Sequence, residues 1–236
     1  MSLARRDLAG LSCALAAAAL CVGLGFWQVH RLGERRARNA VIHAARERPP
    51  LEVVAGLPAD SGQERRLHAR GGYDYAHERL WRGRTFDGVP GVALITPLRL
   101  ADGAAVLVDR GWAASPDALH LDQSFYREPA TADVVGIGFL APRARGDVEP
   151  ATLRDSVPYR LLPFILQLPP SATGSSRPLP PGLVRWPIPE LTDGPHLFYA
   201  IQWFSFAVII VVGSVALVQK QRHQLSGFSR RPDAAP

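Results

Sequence analysis

The best-placed candidates for chemistry sit where two apolar runs meet polar sequence: Trp27 and Arg31 after the first, His196, Tyr199 and Trp203 at the start of the second. On a helix, steps of three and four put His196, Tyr199 and Trp203 on one face. Trp27 and Arg31, four apart, also share a face, so the guanidinium can stack on the indole. An imidazole beside aromatic rings at a membrane surface can ligate the iron of an amphipathic metalloporphyrin, with arginines meeting the propionates. His30 is a second ligand candidate on the same grounds. His196 can equally be an interfacial hydrogen-bonding group, and Trp and Tyr are ordinary occupants of an interfacial belt. At this level both readings stay open.

Elsewhere the chain offers little reactive chemistry. It has no GxGxxG, no phosphate-cradling loop ending in Lys-Ser/Thr, no HExxH and no GxSxG. No Ser, His and Asp stand in a context that activates a nucleophile, so a non-enzyme is expected. His68, His77 and Glu78 read as surface polarity. Asp109 and Arg110 end an apolar strand and suit either a local ion pair or a docking edge. Both cysteines, Cys13 and Cys21, lie inside the first apolar run and read as packing groups.

The elements that carry these residues are clear in outline. Leu8–Val29 and Leu197–Val218 each run 22 residues without a charge, about 33 Å of helix and enough for a bilayer core. Between them lie 167 residues, the size of one compact domain. The expected division is a tail 1–7, a span 8–29, a domain 30–196 with a Pro-rich return 169–189, a span 197–218 and a tail 219–236. The length of the first run, and the helix-prone Trp27–Ala45 segment behind it, favour a retained anchor over a cleaved signal. The net charge of +6 is largely juxtamembrane, with Arg31, Arg35, Arg36 and Arg38 after the first run and Lys220, Arg222, Arg230 and Arg231 after the second. It therefore points to lipid headgroups and away from nucleic acid. Glu190 and Asp193 lead the second span while Lys220 and Arg222 follow it, which predicts both tails in the cytoplasm and the domain outside.

Within the domain, Leu51–Val54 is a candidate short strand and Gly56–Glu64 a loop. Leu67–Tyr75 reads as a strand with a bulge at Gly71-Gly72. Val92–Leu100 and Ala104–Gly111, flanking Ala101-Asp102-Gly103, read as a hairpin. Val134–Leu140 and Phe164–Leu168 are further strands. No αβαβ alternation is present. The predicted fold is α+β: two transmembrane helices at the termini flanking a mostly antiparallel β domain.

Four strings in order resemble the Surfeit locus protein 1 family over nearly the whole chain. They are GFWQVHRL (Gly25 to Leu32), Pro90-Gly91 followed by Thr96-Pro97-Leu98, VLVDRGW (Val106 to Trp112), and HLFYAIQWF (His196 to Phe204). The resemblance implies a bacterial inner-membrane protein that assists assembly of cytochrome c oxidase, respiratory complex IV. It implies transient binding of haem a and a chaperone role toward the haem-bearing subunit, with haem a synthase as a further partner. The alternative is a haem-independent scaffold. The family's proposed haem ligand aligns with His196, and its glycine, tryptophan and arginine at the first span align with Gly25, Trp27 and Arg31. Gly111 and Trp112 match a pair serving folding or partner contact. The chain departs from the family with Gly194-Pro195 where asparagine often precedes the histidine.

Overall fold

The computed structural model describes residues 5–140, 148–170 and 178–228. Outside them lie part of the N-terminal tail, residues 171–177 of the Pro-rich return, and the end of the C-terminal tail with Arg230 and Arg231. The helices are α1 (Arg5–Glu47), α2 (Ala59–Gly62), α3 (Pro150–Leu153) and α4 (His196–Phe228). The strands are β1 (Leu51–Glu52), β2 (Arg66–Tyr73), β3 (Arg79–Phe86), β4 (Val89–Leu100), β5 (Ala105–Ala114), β6 (Thr131–Leu140), β7 (Leu161–Gln167) and β8 (Leu183–Val184). The chain forms two compact units, Met1–Ala40 with Leu191–Pro236, and Val41–Glu190.

The first unit is a pair of apolar terminal helices. Leu8–Glu47 and His196–Lys220 are long and apolar enough to cross a membrane, with mean hydropathy of 2.1 and 2.3 over their most apolar stretches. Most of that surface has no protein cover: Phe26, Ile209 and Leu217 are each 65% exposed. Such faces suit lipid and are costly in water. The buried positions of α1 are Ala18, Cys21, Gly25, Gln28 and Leu32, alternating steps of three and four. The less exposed positions of α4 include His196, Ala200, Trp203, Ala207, Ile210 and Ser214. The two helices meet where Gly25, Phe26 and Gln28 face Phe204 and His196. A Cβ on Gly25 would lie 2.6 Å from the Phe204 ring, so glycine is required for the close approach. Pro49-Pro50 follow the end of α1, where proline cannot continue a helix.

The second unit is a closed sheet. The ring runs β2–β6–β7–β5–β4 and back to β2. All these pairs are antiparallel except β5–β7. β1 adds to β2 in parallel, β3 extends the sheet from β4, and β8 adds to β5. The interior is filled by Leu67, Leu98, Val106, Val108, Leu162, Phe164 and Leu166 among others. On the opposite face of β5 and β7, Leu107 and Ile165 pack with Val148 and Leu153. Burial on both faces is why these two strands read as unbroken apolar runs.

The Asp102-Gly103 hairpin is present, with Leu98 opposite Val106 and Arg99 opposite Ala105. The expected bulge at Gly71-Gly72 is not: β2 pairs with β6 without interruption from Arg66 to Gly72. A Cβ on Gly71 would instead overlap the Arg99 carbonyl, because β4 closes the ring there. The Gly56–Glu64 loop contains the single turn α2, and β3 was not expected. Its sequence, RLWRGRTF, carries three arginines and a central glycine that hide the strand signal.

Candidate functional site

The start of α4 is held by its own flank. Gly194 takes φ +68°, and the Pro195 carbonyl accepts from the Tyr199 N–H at 3.0 Å, opening the helix. Arg35 and Asn39 of α1 donate to the Thr192 carbonyl at 2.8 and 3.0 Å, and Arg36 donates twice to Asp193. This leaves His196 facing Gln28, with Nδ1 2.9 Å from Oε1. Gln28 is 9% exposed, a polar side chain on an otherwise apolar seam. Because the amide oxygen only accepts, the imidazole proton sits on Nδ1 and the Nε2 lone pair is left available. Nε2 has no hydrogen-bond partner among the described residues.

The other helical candidates are arranged around this pair. Trp203 is half-buried and Tyr199 is 43% exposed, on the His196 face of α4. Trp27 is 52% exposed. Phe26 meets Phe204 edge to face at 5.3 Å. Arg31 donates to Glu34 at 2.6 Å, so its guanidinium is turned along the helix instead of over Trp27. His30 is 3.4 Å from the same carboxylate. Two residues from Gln28 is about 200° around the helix, so His30 lies away from His196.

Asp109 to Trp112 occupy a β-bulge. Ile95 pairs with Asp109 and Leu94 with Gly111, leaving Arg110 as the extra residue. Gly111 has φ +129°, and a Cβ there would lie 2.5 Å from the Val184 carbonyl, so only glycine fits. Arg110 is fully buried. It donates to Thr96 at 2.7 Å, to the Tyr126 carbonyl at 2.7 Å, to Glu78 at 2.6 Å and to Glu128 at 3.1 Å. Arg185 joins the network through Glu128 at 2.6 Å and the Arg110 carbonyl. Two arginines thus balance two glutamates, and Tyr75 lies 5.1 Å from the Arg110 guanidinium. Glu78, expected at the surface, is buried because the bulge aims Arg110 at it. Trp112 is 5% exposed and packs on Phe86 at 5.5 Å.

Asp109, 4% exposed, accepts no hydrogen bond from Arg110 or Arg185, the arginines of this network. One of its oxygens accepts the Gly111 N–H at 3.0 Å. Burial pushes its carboxyl up to about 6, against the pull of that N–H and of Arg84, Arg185 and Arg110. His68 bridges Glu52 and Asp133, 2.5 Å from each, and these hydrogen bonds raise its pKa. Both ring nitrogens are thereby used. Among the described residues no three His, Cys, Asp or Glu side chains form a metal cluster.

Gln28, one letter of the GFWQVHRL string, was not paired with His196 from the sequence. Its signal was a lone amide inside an apolar seam. Glu78, Glu128 and Arg185 carried no such signal, since they reach Arg110 from 18 to 75 residues away.

A sequence model of the SURF1 family matches residues 15–208. An uncharacterized SURF1-like protein of Mycobacterium tuberculosis (strain ATCC 25618 / H37Rv) is 27% identical over 230 residues, covering 88% of this chain and 82% of the relative. A SURF1-like protein of Monosiga brevicollis is 29% identical over 226 residues, covering 84% and 83%. A SURF1-like protein of Dictyostelium discoideum is 29% identical over 106 residues, covering 41% and 39%.

Proposed function

The chain belongs to the SURF1 family, and on that premise we propose that it is a membrane-anchored, non-enzymatic assembly factor for cytochrome c oxidase that holds haem a transiently. The observation that carries the reading is the Gln28–His196 pair at 2.9 Å. An imidazole whose Nδ1–H is given to a carbonyl oxygen presents Nε2 in a fixed orientation, the usual arrangement of a metal-ligating histidine. The surrounding groups fit an amphipathic porphyrin in kind: Trp27, Phe26 and Tyr199 offer exposed aromatic surface, and Arg31 a cation for a propionate. Haem a, when bound, would supply an iron that an imidazole nitrogen can ligate.

In this reading His196 binds, Gln28 fixes its tautomer, and Trp27, Tyr199 and Trp203 shield the face from water. The partner is the haem-bearing oxidase subunit, with haem a synthase as donor. The setting is a bacterial inner membrane, with both termini cytoplasmic and the β domain outside. The test is titration of the detergent-purified protein with haem a. Wild type should bind near stoichiometry with a perturbed iron spectrum, and His196→Ala should lose both. Identical binding and spectra in the two proteins would end the assignment of His196 as the ligand, and absence of binding by the wild type would leave the scaffold. Cross-linking to oxidase subunits that persists without haem synthesis would then support the scaffold directly.

A further inference from the structure

The first span carries a surplus of positive charge at its polar end. Arg31, Arg35, Arg36 and Arg38 follow Val29 closely, and the carboxylates that meet them are Glu34 and Asp193. Arg31 donates to Glu34 at 2.6 Å, and Arg36 donates twice to Asp193, at 2.9 and 2.7 Å. Arg35 gives its Nε–H to the uncharged Thr192 carbonyl and feels Asp193 only at longer range. Arg38 is exposed and makes no hydrogen bond or ion pair among the described residues. Two guanidinium charges are therefore unbalanced. In the orientation proposed above this end of the span faces outward, where such charge is usually sparse. It calls for a local anion.

The position of these charges on α1 narrows what the anion can be. Leu20, Leu24, Trp27, Arg31, Arg35 and Arg38 follow one another in steps of three and four, so they form one stripe along the helix. Its character changes along its length. Leu20 is 65% exposed and Trp27 52% exposed, and the arginines begin just past Val29. Apolar surface, then an indole, then guanidinium groups match the acyl chain, ester level and phosphate of a phospholipid in turn. By helical rise Arg35 and Arg38 stand about 9 and 13 Å beyond Val29, while a headgroup layer is about 5–8 Å deep. Side chains on a helix lean towards its N-terminus, which for α1 is the membrane side. Long arginines therefore reach back to the phosphates. A soluble anion would use only the arginines.

We propose that this stripe holds one anionic phospholipid, its acyl chain along Leu20 and Leu24 and its phosphate between Arg35 and Arg38. A zwitterionic headgroup brings its own cation to the site, which cancels the attraction. The assignment rests on α1 crossing the membrane. Trp27 and Arg31 also border the proposed haem site, whereas Arg35 and Arg38 have no part in it and so carry the test.

The experiment titrates the full-length protein in dodecyl maltoside micelles with dioleoylphosphatidylglycerol or dioleoylphosphatidylcholine. Retained lipid is counted by native mass spectrometry. Wild type should hold the anionic lipid about tenfold more tightly or better, as two arginines at headgroup level imply. Arg38→Gln, which breaks no contact, should lower that preference about fivefold. Adding Arg35→Gln should bring the two lipids to near equality, with an unchanged melting temperature as the check on folding. Arg66→Gln, on β2, should change nothing, and separates a local site from net charge. A large excess of glycerol phosphate should leave the lipid bound. Equal retention of both lipids by wild type would overturn the proposal. So would indifference to Arg38→Gln, an equal loss in Arg66→Gln, or displacement by the soluble phosphate. His196→Ala alters neither arginine, so failure of the haem reading leaves this prediction standing.

Discussion

At the Gly111 N–H, one oxygen of Asp109 caps the bulge at 3.0 Å, while burial holds the carboxyl at about 6 against an ordinary 3.8. The folded state therefore binds a proton between these values that the unfolded chain has released. Stability falls as pH rises from about 4 to about 6, and the loss stays constant above that. A displacement of this size corresponds to about 2–3 kcal/mol at neutral pH. Asp109→Asn keeps the cap and removes the ionisation, so it should raise the melting temperature at pH 7.5 and change it little at pH 4. Thermal melts of both proteins across that range check this, and a destabilised variant at pH 7.5 would refute it. Arg110 beside it behaves oppositely. Its charge is matched by Glu78 and Glu128, and removing it would leave two buried carboxylates without their partner.

The helix pair shows how element packing depends on particular small residues. Gly25 lies under the Phe204 ring, and Ala18, Ala200 and Ala207 are among the few buried residues of the two helices. Gly25→Leu should destabilise the pair by about 1–3 kcal/mol through overpacking. Phe204→Ala in the same chain should recover part of that loss, since it clears the space. Melting of the four proteins of this cycle in detergent reads the coupling, and strict additivity would contradict the contact. Among the strands, β4 and β5 were legible because Asp102-Gly103 joins two apolar runs. β3 was not, because its three arginines and central glycine break the apolar alternation of a strand. The bulge sits on β5 and not at Gly71-Gly72, since a glycine pair signals close approach without saying whether a bulge or a third strand causes it.

At the scale of the whole molecule, two long apolar helices with largely uncovered surfaces associate the chain with a membrane. The proposed orientation predicts that a C-terminal alkaline phosphatase fusion is inactive and a C-terminal green fluorescent protein fusion bright, with the reverse for reporters inserted in the β unit. Opposite signals would invert the topology. The presence of two apolar terminal helices, the β-rich character of the middle and the candidate status of His196 were all legible in the sequence. Each depends on local composition or on residues a few positions apart. Only the tertiary structure decided that the sheet closes into a ring, that β5 and β7 run parallel, that Gln28 is the partner of His196, and that Arg110 is buried against Glu78 and Glu128. These pairings join residues 18 to 168 positions apart. Hydrophobic periodicity reports which face of an element is buried, and it carries no information about which distant face it will meet.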